Sequence, residues 1–375
     1  MTNEIFEKAY KQRDTNYYAY DQYGDNPMQP LAPVAIVALK GAKEFSIGVN
    51  HALVTRRKDY LTEARPEEIS AGFLRPDFHV PVNTFRFSSG EGKAVIERTI
   101  RGHDLYILCD VTNHSVTYKM RGEYNRMSPD DHYQDLKRVI LAASGKARRI
   151  NVIMPYLYEG RQHRRNARES LDCAHMLLEL DQLGVNNFIT FDAHDDRVAN
   201  ATPTSGFENV PTTYQVLETM VRCFPDCHFI HDEMMMISPD EGAIYRAMYY
   251  ASVLGIPLGT FYKRRDYTVV KNGRNPIIAH EFLGQPVEGR DMIIVDDMIS
   301  SGESMLEIAK TLKASHARKI FCVATFGLFT DGLDAFNKAH ADGLIDAVFC
   351  TNLIYRSPEL LAAPWYKDVS VSRFV

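Results

Sequence analysis

MIIVDDMISSGESML, residues 292–306, combines a strand pattern, an acidic pair and a helix pattern in fifteen residues. Its first four residues are apolar and have the length and composition of a strand, and the apolar positions that begin at Met305 recur at helical spacing. Between these segments lie the adjacent carboxylates Asp296 and Asp297 and a turn of small residues, 300–302. The stretch therefore predicts a strand that leads through an acidic pair and a tight turn into a helix.

Such a turn can bind a phosphate group. The first turn of a helix leaves backbone N–H groups without intrahelical acceptors, and the helix dipole favours negative charge there. The two carboxylates can accept hydrogen bonds from vicinal hydroxyls or hold a divalent cation. A ribose 5-phosphate would satisfy both halves of the stretch. The alternative is an ordinary strand-to-helix turn, with Ser301 as the N-cap and solvated aspartates.

The composition is that of a folded globular protein. The chain has 375 residues, of which 45% are hydrophobic, and this length allows two domains with separate cores. The formal net charge of -5 argues against a general nucleic-acid binder. We therefore expect small-molecule ligands and no nucleic acid.

The sequence also predicts a cytoplasmic protein with no membrane partner. No apolar run approaches the length that spans a bilayer, and the first residues are polar where a secretory signal is hydrophobic. The six cysteines lie mostly in apolar runs, which indicates reduced core thiols rather than a disulfide framework.

One group of zinc-binding residue types is dense, since Cys223, Cys227, His228 and His231 fall within nine residues. The segment runs directly from a helical pattern into an apolar strand at 234–237, with no intervening loop to wrap four ligands around one ion. We therefore prefer packing to a zinc site at these positions.

Strand and helix patterns alternate through both halves of the chain, on either side of a Pro/Gly/Ser-rich stretch at 200–208. The strands are predicted at 33–39, 105–109, 150–154, 188–192, 234–237, 257–262, 292–295, 319–325 and 345–350, with a hairpin at 85–97. This alternation predicts an α/β protein with two doubly wound domains and mainly parallel sheets. The predicted division is an N-terminal extension at 1–32, α/β domains at 33–205 and 206–355, and a tail at 356–375.

Three polar segments follow predicted strands, and open α/β sheets place their ligands at the carboxyl ends of strands. Four arginines fall within eight residues from Arg161, and arginine suits polyphosphate oxygens. A second polar cluster surrounds His194. From Lys263 to about Gly284 the chain has few apolar residues in any helical or strand period, and we predict a loop that acts as a cationic lid. A solvated loop is the alternative for each basic segment.

Six short motifs occur in an order that resembles the ribose-phosphate pyrophosphokinases, which make phosphoribosyl pyrophosphate. That family has a Phe-x-Asp-Gly-Glu hairpin, an Arg-Gln loop, an Asp-x-His strand end, a Ser-Pro-Asp turn, a Lys-Arg-Arg lid and a Val-Asp-Asp-Met-Ile phosphoribosyl loop. The similar positions here are 87–91, 161–162, 192–194, 238–240, 263–265 and 295–299. The resemblance runs from about residue 33 to residue 350 and implies a phosphoribosyltransferase-like fold for both domains.

The resemblance implies that the anomeric hydroxyl of ribose 5-phosphate attacks the β-phosphorus of Mg-ATP and expels AMP. The catalytic residues it implies are Lys263, Arg265 and His194, and the Mg²⁺ ligands are His194 and Asp240. The ATP-binding residues it implies are Phe87, Glu91, Arg161 and Gln162. The residues it implies for ribose 5-phosphate are Asp296, Asp297, Ser300, Ser301, Gly302, Glu303 and Ser304. The alternative for His194 is a strand-end histidine hydrogen-bonded to a neighbouring aspartate.

Several positions depart from the family pattern. Ser89 stands where the family has an aspartate that reads the nucleotide, and Asn166 stands where another aspartate is expected. Ser300 and Glu303 occur in a loop that reads Asp-Thr-Gly-Gly-Thr in the family, so one carboxylate is lost beside the sugar and another is gained beside the phosphate. The N-terminal extension has no counterpart in the family.

Three functions stay open. The first is an active ribose-phosphate pyrophosphokinase, which the retained Lys263 and Arg265 favour. The second is a catalytically silent regulatory or associated subunit of the same fold, which the losses at Ser89 and Ser300 favour. The third is a phosphoribosyltransferase. The resemblance also implies a homo-oligomer built from dimers, although the family's acidic contact between subunits falls near Thr212, where this chain has no carboxylate.

Overall fold

The computed structural model of this protein describes residues 32–63, 72–265 and 277–375, with the backbone alone at 60–63, 263–265 and 277–280. The chain divides into two compact units. The first comprises the chain up to Val210 together with Leu353–Tyr355 and Val371–Val375, and the second comprises Pro211–Asn352 and Arg356–Ser370. The sequence predicted this boundary at 205/206 and a separate tail at 356–375. The predicted extension lies outside the described residues, apart from Ala32.

The first unit is built on a five-stranded parallel sheet with the strand order β1-β4-β7-β8-β9. Its elements in chain order are β1 (Val34–Ala38), α1 (Lys43–Glu63), β2 (Val82–Arg86), β3 (Gly92–Ile96), β4 (Asp104–Leu108), β5 (Thr117–Met120), β6 (Glu123–Arg126), α2 (Pro129–Ala143), β7 (Arg149–Ile153), α3 (Asp172–Gln182), β8 (Asn187–Phe191) and β9 (Gly206–Val210). Two antiparallel hairpins, β2–β3 and β5–β6, lie outside this sheet.

Helix α2 shows how the sequence builds this unit. Ser128 caps its N-terminus with a reciprocal pair of hydrogen bonds to Asp131, and Pro129 occupies the first turn, where a missing N–H costs nothing. The apolar stripe of α2, which includes Leu136 and Ile140, is fully buried in the core against the sheet. The central strands are buried on both faces, which explains their nearly continuous apolar sequences.

The second unit contains a seven-stranded sheet with the order β12-β11-β10-β13-β14-β15-β16, in which β12 alone is antiparallel to its neighbour. Its elements in chain order are α4 (Thr213–Cys223), β10 (Met234–Ser238), α5 (Ile244–Leu254), β11 (Leu258–Arg265), β12 (Ile277–Leu283), β13 (Asp291–Ile299), α6 (Glu303–Ala314), β14 (Ile320–Gly327), α7 (Asp334–Ala341), β15 (Ala347–Thr351), α8 (Pro358–Ala362) and β16 (Tyr366–Val369).

The prediction of one long loop from Lys263 to about Gly284 was wrong at both ends. The strand β11 continues through Arg265, and residues 277–283 form β12, which pairs with β11 from Thr260↔Leu283 to Arg265↔Ile277. Five of the seven residues of β12, IIAHEFL, are apolar, but the polar run at 271–276 before it led the whole segment to be interpreted as a loop. The rest of the predicted lid, 266–276, lies outside the described residues.

All six cysteines are free thiols and five of them are buried, as the sequence predicted. In the dense cluster, the Cys227 thiol packs near the Lys319 ammonium, with 3.6 Å between Sγ and Nζ, and His231 bonds the neighbouring Asp232. Among the described residues there is no group of three or more His, Cys, Asp or Glu side chains that could hold a metal ion. Within the same ranges, no helix combines the length and apolarity needed to cross a membrane.

Candidate active site

The strand order of the second sheet reverses between β10 and β13. From β10 the chain passes through α5 to β11 on one side, and it later returns to β13 on the other side of β10. Such a reversal opens a crevice beyond the carboxyl ends of the two strands, because the connections leave in opposite directions. The Asp240 turn follows β10, and the stretch from Asp296 to Ser304 ends β13 and begins α6. The topology therefore brings these two predicted groups to one crevice.

The acidic pair lies in the second half of β13. Asp297 is buried, with 4% of its surface exposed, and its backbone N–H donates to the Asp296 carboxylate over 2.9 Å. Burial and the charge of Asp297 raise the pKa of Asp296, and Arg246, whose Nη1 lies 3.9 Å from the Asp296 carboxylate, acts in the opposite direction. Two carboxylates held together at a crevice are poised to accept hydrogen bonds or a cation that lowers their mutual repulsion.

Gly302 makes the turn from β13 to α6 possible. Its φ of +81° is a left-handed conformation that glycine adopts without strain, and it is the N-cap of α6. The ring of Phe336 lies against it, and a Cβ atom on Gly302 would come within 2.3 Å of that ring. Phe336 is fully buried and stacks on Trp365 with 5.3 Å between ring centroids. The turn therefore packs on two stacked aromatic side chains.

The other residues of the turn present polar groups around the start of α6. The Ser300 carbonyl accepts from the Thr330 N–H over 3.0 Å, which ties the turn to the loop after β14. The Ser301 hydroxyl lies 3.4 Å from the Glu303 N–H. Glu303 and Ser304 occupy the first turn of α6, and both are exposed. The helix has 12 residues, so its N-terminal N–H groups and dipole are available to an anion at this turn.

Asp240 has a structural task in the turn after β10. Its Oδ1 accepts from the N–H groups of Gly242, over 2.9 Å, and Ala243, over 3.3 Å. The hydroxyl of the fully buried Ser238 donates to the Asp240 carbonyl over 2.7 Å. These bonds fix the carboxylate at the start of α5. Lys263 and Arg265 belong to β11, the neighbour of β10, where Lys263 pairs with His280 of β12.

In the first unit, the loops after β7 and β8 bring together three polar side chains, those of His163, His194 and Asp195. His163 directly follows Arg161 and Gln162; its Nε2 lies 3.4 Å from the Asp195 carboxylate, and its ring lies 5.4 Å from that of His194. Burial lowers the pKa of His163, and Asp195 opposes that effect. The hydrogen bonds of Arg197 hold the pKa of Asp195 well below its usual range, so this carboxylate stays ionised beside the two imidazoles.

Arg161 and Gln162 are exposed at the tip of the same loop, where the Gln162 N–H donates to the Glu159 carbonyl over 2.8 Å. Their exposure at the carboxyl edge of the sheet leaves both side chains accessible to a ligand. The neighbouring Asn166 N–H donates to the Glu169 carboxylate over 3.1 Å, so the loop closes on itself beyond the two predicted residues.

Phe87 and Glu91 are the ends of the turn that joins β2 to β3. The Phe87 N–H donates to the Glu91 carbonyl over 2.7 Å, and the ring of Phe87 is half exposed. The Ser89 hydroxyl donates to the Glu91 carboxylate over 2.9 Å. A serine at this position therefore engages the carboxylate that was predicted to bind ATP, and it leaves an exposed aromatic ring at the tip of the hairpin.

Four residues of the candidate site were not predicted from the sequence: Arg246, Thr330, Phe336 and His163. Arg246 lies in the first turn of α5 after the Ser-Pro-Asp motif, and this placement is the one signal that could have suggested it. The contacts of Phe336 and Thr330 join residues about 30 positions apart, and no local pattern encodes them. His163 follows the Arg-Gln motif directly and could have been added to it.

Two family models match the chain. The N-terminal domain of ribose phosphate pyrophosphokinase matches residues 77–184, and the phosphoribosyl transferase domain matches residues 228–351. Two relatives named ribose-phosphate pyrophosphokinase are each 30% identical to the chain. The one from Mycoplasma pneumoniae aligns over 277 residues, 72% of this chain and 74% of its own length. The one from Vibrio parahaemolyticus aligns over 297 residues, 77% of this chain and 84% of its own length.

Among solved structures, the chain is similar to phosphoribosylpyrophosphate synthetase from Mycobacterium smegmatis, with a TM-score of 0.70 and 18% identity. The match covers 91% of this chain and 96% of the other. It confirms the predicted α/β fold with two phosphoribosyltransferase-like domains and mainly parallel sheets.

Proposed function

The chain belongs to the ribose-phosphate pyrophosphokinase family, and we propose that it transfers the pyrophosphoryl group of Mg-ATP to the anomeric hydroxyl of ribose 5-phosphate. The hydroxyl oxygen forms a bond to the β-phosphorus and loses its proton, while the bond from the β-phosphorus to the α–β bridging oxygen breaks. The products are phosphoribosyl pyrophosphate and AMP.

The observation that carries this proposal is the turn from Asp296 to Ser304 at the strand-order reversal of the second sheet. The N-terminal N–H groups of α6, with the hydroxyls of Ser301 and Ser304, would bind the 5-phosphate. Asp296 and Asp297 would accept hydrogen bonds from the ribose hydroxyls. The exposed side chain of Glu303 can turn to solvent while its N–H still faces the phosphate, and the added carboxylate is then compatible with the ligand.

We assign the nucleotide to residues of the first unit. Phe87 would stack on the adenine and Glu91 would bond its edge, while Arg161 and Gln162 would contact the rest of the nucleotide. Their exposure at the hairpin tip and at the carboxyl edge of the sheet supports this assignment. Lys263 and Arg265 would supply positive charge as negative charge builds on the phosphoryl oxygens, the main requirement of phosphoryl transfer.

The donors proposed for Mg²⁺ are His194 and Asp240. Magnesium prefers oxygen, keeps several waters, and is commonly bound through one or two carboxylates together with substrate phosphates. The Asp240 carboxylate, fixed by two backbone N–H groups, fits that arrangement. When bound, the ion would neutralise charge on the transferred phosphates. His194 would add a nitrogen donor beside the ionised Asp195.

A second candidate is a catalytically silent subunit that keeps the fold and binds nucleotide or an active partner chain. The hydrogen bond from the Ser89 hydroxyl to the Glu91 carboxylate favours this candidate, because that carboxylate would otherwise be available to the adenine. The phosphoribosyltransferase alternative has less support, since residues 77–184 match the N-terminal domain of the pyrophosphokinases. Assembly into dimer-based homo-oligomers and a cytoplasmic location stay predictions from the sequence.

Incubation of the purified protein with ribose 5-phosphate, Mg²⁺ and ATP labelled on the β-phosphorus tests the function. We expect AMP as the nucleotide product and the label in a sugar product. ADP as the product, or no AMP from a protein that binds ATP, would contradict the proposal. Turnover that appears only when a second synthetase chain is added would support the silent-subunit candidate.

A further inference from the structure

The hairpin β2–β3, whose turn is proposed to bind ATP, is anchored to α2 by a buried ion-pair cluster. The Asp135 carboxylate of α2 accepts through Oδ1 from Arg86 Nη1 over 2.6 Å and from Arg138 Nη1 over 2.8 Å. The side chains of Arg86 and Asp135 are 5% and 2% exposed. Charge-assisted bonds of this length, shielded from water, hold their partners in one geometry.

The cluster holds both strands of the hairpin where the turn begins. Arg86 pairs with Gly92 in the last step of the ladder, and Phe87 follows Arg86 directly in the chain. The Arg138 guanidinium covers Gly92 so closely that a Cβ atom there would lie 2.5 Å from it. One carboxylate therefore determines the position from which Phe87 and Glu91 project.

The second hairpin, β5–β6, supports the same turn. The Tyr118 ring lies 5.1 Å from the Arg86 guanidinium, in the range of a cation–π contact. The Arg121 N–H donates to the Ser88 carbonyl over 3.0 Å. Met120 packs against Gly90, where a Cβ atom would lie 2.6 Å from its sulfur. The turn is thus held at its base by α2 and at its tip by β5–β6.

The charge balance at the base depends on Asp135. Burial lowers the pKa of Lys40, which also faces Asp135 and Arg86. Arg86 Nη2 is buried without a hydrogen bond among the described residues, and a carboxylate oxygen of Asp131 lies 3.8 Å from it. Without the Asp135 charge, a buried guanidinium would lose its main partner, which is costly, and the strand β2 would shift to expose it.

We propose that Asp135 is a positioning residue for the nucleotide: through Arg86 and Arg138 it holds the hairpin so that Phe87 and Glu91 meet ATP. This inference rests on the proposed function, in which those two residues contact the nucleotide. Asp135 itself is buried beneath the hairpin, and the proposal gives it no direct contact with the nucleotide.

The test compares Asp135→Asn with Asp104→Asn in the full chain. Asp104 is also buried, at 3%, and it pairs with Arg149 at the amino end of β4 in the same unit, at the opposite end of the strand from the ligand edge. Calorimetry gives the Kd for Mg-ATP, the AMP assay gives the KM for each substrate, and thermal unfolding gives the Tm. We expect Asp135→Asn to weaken ATP binding about tenfold and to leave the KM for ribose 5-phosphate within about twofold. Asp104→Asn should lower the Tm with an unchanged Kd for ATP.

A double variant, Asp135→Asn with Arg86→Met, separates positioning from stability. Removal of both charges takes away the uncompensated guanidinium, so the Tm should recover while ATP binding stays weak. Recovery of ATP affinity together with the Tm would overturn the inference, as would an unchanged Kd in Asp135→Asn. If Asp135→Asn does not fold, Arg86→Lys carries the same comparison. A wild-type protein that binds ATP without forming AMP would defeat the proposed function, and the Kd values would still decide the role of Asp135.

Discussion

The ring of Phe336 lies directly against Gly302, so that a Cβ atom on the glycine would come within 2.3 Å of ring carbon Cε2. Gly302 also has a φ of +81°. Two independent constraints, backbone conformation and the aromatic ring, therefore restrict this position to glycine. Because Gly302 is the N-cap of α6, whatever moves it also moves the N–H groups that would bind the 5-phosphate.

Replacement of Gly302 by alanine should impair both stability and sugar-phosphate binding. Gly289 is the matched control, since its φ is +72° and nothing lies within 4 Å of its would-be Cβ atom. Gly289→Ala should cost about 1–2 kcal/mol of unfolding free energy from backbone strain alone. Gly302→Ala should cost about 1–3 kcal/mol more because of the clash, and raise the KM for ribose 5-phosphate at least about tenfold. Equal unfolding free energies by urea denaturation would contradict the close packing.

The single tryptophan should report ligand binding at the turn. Trp365 is fully buried, stacks on Phe336, and donates from Nε1 to Asn337 over 2.8 Å. Ordering of the turn by ribose 5-phosphate should change the Trp365 emission through Phe336. Titration with ribose 5-phosphate at an excitation wavelength that tyrosine does not absorb measures this change. Ribose without the phosphate is the control and should have little effect.

The acidic pair should make the second unit less stable as the pH rises. The pKa of Asp296 is raised in the folded state, so the native protein binds more protons than the unfolded chain above about pH 4, and the unfolding free energy falls with pH until the folded pKa is passed. Asp296→Asn removes this loss. We expect it to be more stable than wild type at pH 8, by a margin that shrinks toward pH 4.

Urea unfolding of wild type, Asp296→Asn and the exposed Asp342→Asn at several pH values measures this effect. Asp342→Asn should follow the wild-type curve. A wild-type protein that gains stability between pH 5 and pH 8 relative to Asp296→Asn would show that the carboxylate is compensated in the fold.

The basic residues at the end of β11 should be needed for turnover. Lys263→Ala and Arg265→Ala should each reduce kcat by about a hundredfold or more, because charge on the transferred phosphates would lose a fixed cation. Arg264→Ala, which removes an equal charge from the same strand, is the control. The AMP assay measures kcat, and circular dichroism checks folding. Unchanged rates in folded Lys263→Ala and Arg265→Ala would place the catalytic cations elsewhere.

Much of the fold was predictable because its central strands are buried on both faces. The apolar runs at β7, β10 and β13 predict this burial from the local sequence, and the small-residue turn around Gly302 predicts where α6 begins. The strands that were missed form the hairpin β5–β6 or lie at a sheet edge, as β9, β12 and β16 do. The sequences of β5, β6, β9 and β16 have four or five residues each and no continuous apolar run, so no local pattern marks them as strands. The strand β12 is apolar, and it was missed because the polar residues before it favoured a loop for the whole segment.

The candidate site was predictable where one motif follows one strand, as at Asp240 and Asp296. Contacts between residues that are distant in the sequence were not predictable. The position of Arg246 near Asp296 depends on β10 and β13 being neighbours, and the Asp135–Arg86 pair depends on α2 lying across the hairpin. A charged residue in a helix gives no local sign of the strand it faces, so such partners appear only when the chain is folded.

The first unit includes two segments, Leu353–Tyr355 and Val371–Val375, that follow residues 211–352 of the second unit in the chain. The Tyr355 N–H donates over 2.7 Å to the carboxylate of Asp110, which is 2% exposed, and Val371 is 1% exposed. During synthesis on the ribosome, the hydrogen bond from Tyr355 to Asp110 cannot form until 245 further residues have been added after Asp110. The unit that begins first is therefore completed last, and a nascent chain released at residue 210 would leave a buried carboxylate without a donor that the native fold supplies.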